Sequence, residues 1–141
     1  MAEAVFSHLV IDAGLETKIE TDSAGTGDWH VGSPAHPGTM TMLRENGIAY
    51  EGKGRTIGRD DLDMFDYVIT MDDENLHNVR RLGEGRAQIA PLLSFAPQTG
   101  MREVPDPYFE GGFDVVYGLV CEGCRGLLEE IKKQLATDEH G

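Results

Sequence analysis

Phe65-Asp66-Tyr67-Val68-Ile69-Thr70-Met71-Asp72-Asp73-Glu74-Asn75-Leu76 is the stretch that decides the fold. Tyr67–Met71 is an apolar, β-branched run with no polar alternation, the pattern of a parallel strand buried on both faces. An acid follows at once. Asp72 or Asp73 can accept from the unpaired N–H groups that open a helix, and that helix runs to about Leu82. On the amino-terminal side, Arg59–Phe65 reads as a short helical turn. On the carboxyl side, Ala87–Ala90 is a second strand candidate and Leu92–Pro105 reads as loop. Asp114 then caps the strongest helix of the chain, with Val115, Val116, Leu119, Val120, Cys124, Leu127, Leu128, Ile131 and Leu135 on its apolar face.

Further toward the amino terminus come a helix from about Thr39 to Asn46 closed by Gly47, a glycine-rich stretch at Ser23–Gly27, and a short strand candidate at Lys18–Thr21. The chain opens on a helix, because Val5, Phe6, Leu9, Val10 and Ala13 recur at three and four until Gly14 ends the pattern. No Ser, Thr, Asp or Asn caps that helix, and no strand precedes it. Strands alternating with helices imply an α/β layer fold with a parallel sheet. Such sheets place their ligands beyond the carboxyl ends of the strands, so the loops after each strand are where chemistry is expected.

The 141 residues suit a single domain, and 40% apolar with 26% charged is a globular balance. A net charge of −13 opposes polyanions, which argues against a nucleic-acid partner. An anionic substrate would need a local positive site of backbone N–H groups and arginines. No apolar run is long enough for a membrane span, and Glu3 stands where a signal peptide would be basic. A cytoplasmic protein is therefore expected. Cys121 and Cys124 form no disulfide framework. Their C-x-x-C spacing lies inside a long helix rather than at its start, and no second ligand pair accompanies it, so core cysteines are expected and neither a redox pair nor a metal site.

The loop after the first strand candidate, residues 22–32, holds Asp28, Trp29 and His30. Trp29 reads either as a core residue or as an exposed recognition aromatic. Gly25-Thr26-Gly27 is too short for a dinucleotide fingerprint, and no cofactor is expected. The acids at Asp72–Glu74 are explained by capping and the helix dipole. In Glu103-Val104-Pro105-Asp106-Pro107-Tyr108-Phe109, Pro107 forces Asp106 into an extended conformation and so fixes its carboxyl group. That geometry suits a general acid at the rim of a cleft, and it also suits a plain turn.

Taken in order, D-S-A-G-T-G-D-W-H-V-G at 22–32, F-D-Y-V-I-T-M-D-D-E-N-L at 65–76 and V-P-D-P-Y-F at 104–109, with Val116-Tyr117 in the helix that follows, resemble the low-molecular-weight protein tyrosine phosphatases. The resemblance covers essentially the whole chain. It implies a flavodoxin-like three-layer fold, a parallel sheet with helices on both faces. It also implies hydrolysis of phosphotyrosine in a partner protein through a cysteinyl-phosphate, using a C-x5-R loop that joins the first strand to the first helix. Carried over by position, Asp106 is the general acid. Trp29 and Tyr108 flank the substrate ring, with Asp28 and His30 on the same variable wall, and Ser23 helps orient the phosphate loop.

The departures are specific. Phe109 stands where many members have a second tyrosine, Gly52 where some carry a supporting histidine, and Gly38 replaces an arginine of the family's D-P-R stretch. Above all, no C-x5-R is present: six residues after Cys121 is Leu127, and six after Cys124 is Glu130. Met1–Phe6 resemble the helix that follows the phosphate loop in the family. Residues 1–141 are therefore expected to be one amino-terminally truncated phosphatase domain, lacking the first central strand and the nucleophile and inactive as given. A non-catalytic pseudo-phosphatase or phosphoprotein-binding module is the alternative. An arsenate reductase is disfavoured because 71–95 contains no cysteine.

Overall fold

The computed structural model describes residues 1–24, 56–105 and 112–140. Helix α1 spans Ala2–Asp12 and stops as its sequence demands. Gly14 takes the left-handed conformation (φ 71°) and donates to the Ile11 carbonyl at 2.9 Å, while the Leu15 N–H reaches the Val10 carbonyl at 3.0 Å. This pair of bonds satisfies carbonyls that the helix would otherwise leave open, and it turns the chain out of the helix.

Helix α1 buries Ala4, Val5, Phe6 and Val10 against the last helix, which contributes Val116, Val120, Cys121, Cys124, Leu127 and Leu128. Ala13 is exposed because it is already the cap, and Leu9 is only half-buried. The last helix begins at Gly112, so Asp114 lies in its first turn instead of capping it. Val115 is 46% exposed, one residue off the buried stripe. Gly126 has a packing role, because a Cβ there would run into the Phe95 carbonyl.

Between these helices the chain forms α2 (Asp61–Met64), β1 (Tyr67–Thr70), α3 (Asp73–Arg80) and β2 (Gln88–Pro91), followed by 3₁₀ turns at Leu92–Phe95 and Pro97–Thr99. The last helix is α4 (Gly112–His140). Strands β1 and β2 are parallel, with Tyr67 opposite Gln88 and Thr70 opposite Pro91. Tyr67, Ile69 and Met71 lean on the α1–α4 core. Val68 and Thr70 alternate to the other face. Helix α3 contacts both strands, and its buried Val79 is no part of the α1–α4 core. Helices thus cover both faces of a parallel sheet, as expected.

Beside β2 the structure is closed. Leu62 is fully buried, and its carbonyl accepts from the Ala87 N–H at 2.8 Å. Arg86 reaches the Asp63 carbonyl (2.6 Å), the Met64 carbonyl (3.0 Å) and the Asp66 carboxylate (2.8 Å), which ties the approach to β2 onto α2.

One expected strand does not form. Lys18 ends a turn, and Ile19–Thr21 has no regular structure. A strand exists only through a ladder partner. Among the described residues none lies beside Ile19–Thr21. The helix expected at Thr39–Asn46 lies outside the described residues.

Candidate active site

The carboxyl end of β1 is where an α/β sheet should hold its ligand. Asp72 caps α3, its Oδ1 accepting from the Asn75 N–H at 2.7 Å, which decides between the two candidate caps. Asp73 instead pairs with Arg102 at 2.9 Å, and its N–H donates to Glu103 Oε1 at 2.8 Å. The Val104 N–H donates to the Met71 carbonyl at 2.9 Å. Three bonds therefore moor residues 102–104 to the turn between β1 and α3. The segment that leads into Asp106 is held at the strand end before the prolines act on it.

Across from β1, Lys18–Ala24 runs along the far side of an open trench of about 1390 Å³. Val104, Pro105, Ser23 and the β1 residues all line it, together with Phe6 of α1 and Val116, Val120 and Leu127 of α4. Ser23 is exposed, and its N–H donates to Asp22 Oδ1 at 2.8 Å. Ser23 is the one candidate site residue among the described residues. Asp28, Trp29, His30, Asp106 and Tyr108 lie outside them, as do Gly38, Gly52 and Phe109.

Both cysteines are free and buried. Burial pushes the Cys124 thiol up to about 12, and neighbouring Cys121 adds to the push, so the group carries no thiolate near neutral pH. Tyr117 is raised as well, by burial first and then by its hydrogen bond with Cys121. These are packing residues, as expected, and they supply no nucleophile.

Residues 1–137 match the family model described as low molecular weight phosphotyrosine protein phosphatase. The chain belongs to that family. The low molecular weight protein-tyrosine-phosphatase YfkJ of Bacillus subtilis is 43% identical over 137 residues, covering 95% of this chain and 88% of its own. Its crystal structure superposes with a TM-score of 0.89 over 94% of this chain and 86% of that one. The low molecular weight phosphotyrosine protein phosphatase of Sus scrofa is 36% identical over 94% of this chain and 87% of its own length. The Drosophila arginine phosphatase shares 30% identity with a TM-score of 0.85, covering 93% of this chain and 88% of its own.

Set against this phosphatase fold, sequence reasoning placed the strand and cap at 65–76 correctly and missed the mooring of 102–104. The acids at Asp72 and Asp73 looked alike on a helix start. One caps and the other reaches across to Arg102. The signal that could have found this is the opposite-sign residues Arg102 and Glu103 just before the Val104-Pro105-Asp106 loop. In a family whose chemistry sits at strand ends, they had to face something there.

Proposed function

We propose that this domain is the acid-and-specificity portion of a protein tyrosine phosphatase, a hydrolase acting on phosphotyrosine in a partner protein. Asp106 protonates the phenolic oxygen as the P–O bond breaks and a cysteine sulfur takes the phosphoryl group. It then accepts a proton from the water that hydrolyses the cysteinyl-phosphate. Trp29 and Tyr108 flank the ring, Asp28 and His30 line the variable wall, and Ser23 steadies the phosphate loop. The nucleophilic cysteine and its arginine lie outside residues 1–141, on a first strand and loop of about a dozen residues or more.

The observation that carries this reading is the family match through residue 137 together with the three ordered motifs. The position of Cys124 supports it, since a buried thiol near 12 inside a helix cannot attack phosphorus at neutral pH. A fixed acid beside the leaving group contributes on the order of 10²–10⁴-fold.

The nucleotide sequence upstream of the Met1 codon tests the reading. An in-frame apolar run followed by C-x5-R is expected. In that longer protein, Asp106→Asn should lower kcat on a phosphotyrosyl peptide about 10²–10⁴-fold. An upstream frame without the motif overturns the assignment of the nucleophile. Preference for a phosphoarginyl peptide over the phosphotyrosyl one overturns the substrate.

A further inference from the structure

Residues Tyr67–Ile69 form an apolar run without polar alternation, yet each of them is only half-buried. The cause is the direction of β1. The Gln88 N–H bonds to the Asp66 carbonyl at 2.9 Å, so by strand alternation Val68 and Thr70 address β2. The backbone N–H and C=O of Ile69 then point away from β2, into the trench, and among the described residues no hydrogen bond meets them. A second, independent observation concerns Thr70. It is 3% exposed, its Oγ1 has no partner among the described residues, and it lines the same trench. An orphaned buried hydroxyl costs about 1–3 kcal/mol, and one strand neighbour would satisfy it.

We propose that the trench is a strand-acceptor groove, and that the 141-residue chain binds an extended apolar peptide of about four to six residues with basic ends as a further strand beside β1. The walls fit that occupant. Phe6, Val116, Val120 and Leu127 offer apolar surface, and the free backbone of Ile69 offers one donor and one acceptor in ladder geometry. The volume of about 1390 Å³ exceeds the roughly 300–1,000 Å³ of small-molecule pockets. Four paired residues at about 3.3 Å each match the length of β1. Six carboxylates and two cations line the trench among the described residues, which selects lysine or arginine at the ends of the occupant. A second copy of the chain is the poorer occupant, since each copy carries −13.

The test uses a dye-labelled, capped peptide of four alternating valine and isoleucine residues flanked by lysines, titrated into the purified chain. A matched peptide N-methylated on alternate backbone amides serves as control. Saturable 1:1 binding is expected, at least tenfold weaker for the N-methylated peptide, with the Ile69 amide resonance shifting on binding. Thr70→Val should weaken the peptide several-fold while the free protein stays folded. No binding, or equal binding of both peptides, overturns the proposal. So does a dimeric mass for the free chain with the Ile69 amide already protected, because the groove would then hold a second copy. Peptide binding is read without phosphatase turnover, so its outcome is separate from that of the proposed reaction.

Discussion

The two edges of β1 are built from the same four residues and have opposite surroundings. Toward β2 the strand has a parallel partner in register, a fully buried leucine behind it and an arginine that grips α2 from three directions. Toward Lys18–Ala24 it has an open trench and a buried hydroxyl without a partner. The difference teaches that the sheet's stability here is one-sided. The apolar character of Tyr67–Ile69 is sized for two neighbours, and one is found among the described residues.

The largest expected effect is on amide exchange, because backbone protection follows the ladder directly. Val68 and Thr70 should exchange on the order of 100-fold or more slowly than Ile69 in the free chain. Equal protection at all three would show that both edges are paired. Next comes the stability contrast. Leu62→Ala, on the closed side, should cost about 2–5 kcal/mol in urea unfolding, whereas Ile19→Ala on the trench rim should cost under about 1 kcal/mol. Similar losses at the two sites would abolish the distinction.

Cys124 sharpens the comparison, since it lines the trench from α4 and is still 1% exposed. Its thiol keeps its proton in the folded chain up to about 12, while in the unfolded chain it ionises near 9. Above pH 9 the unfolded state therefore holds fewer protons than the folded one, and stability must fall as pH rises from 9 toward 12. The loss is on the order of a few kcal/mol. Cys124→Val should flatten that decline in urea titrations between pH 8 and 11. An unchanged decline would mean that water already reaches the thiol through the trench. The smallest effect belongs to the mooring of the 102–104 segment. Arg102→Ala removes an exposed ion pair and should cost under about 1 kcal/mol in the same unfolding experiment.

Much of this architecture is legible in the residues. The Gly14 stop, the acid after Met71, the apolar run at 67–71 and the stripe on α4 each follow from a local rule that tertiary contacts reinforce. Lys18–Thr21 failed for the complementary reason. A strand is a relation between two segments, and its own residues cannot report that the neighbour is not beside them. Asp73 and Arg102 were illegible in the same way, because a pair 29 positions apart leaves no period or motif. The C-x-x-C was read as packing from its place within a helix, and burial gives that reading its chemistry. For the active site, the motifs supplied the roles of Asp106, Trp29, Tyr108, Asp28 and His30, while the structure contributes the anchored strand end from which the acid loop departs and the position of Ser23.

Phosphate release from a phosphotyrosyl peptide by the purified 141-residue chain tests the central claim most directly. With no C-x5-R in these residues, release should be indistinguishable from that of the Asp106→Ala chain and of buffer alone. Sustained turnover that Asp106→Ala abolishes would contradict the account, because a nucleophile would then have to be present within residues 1–141.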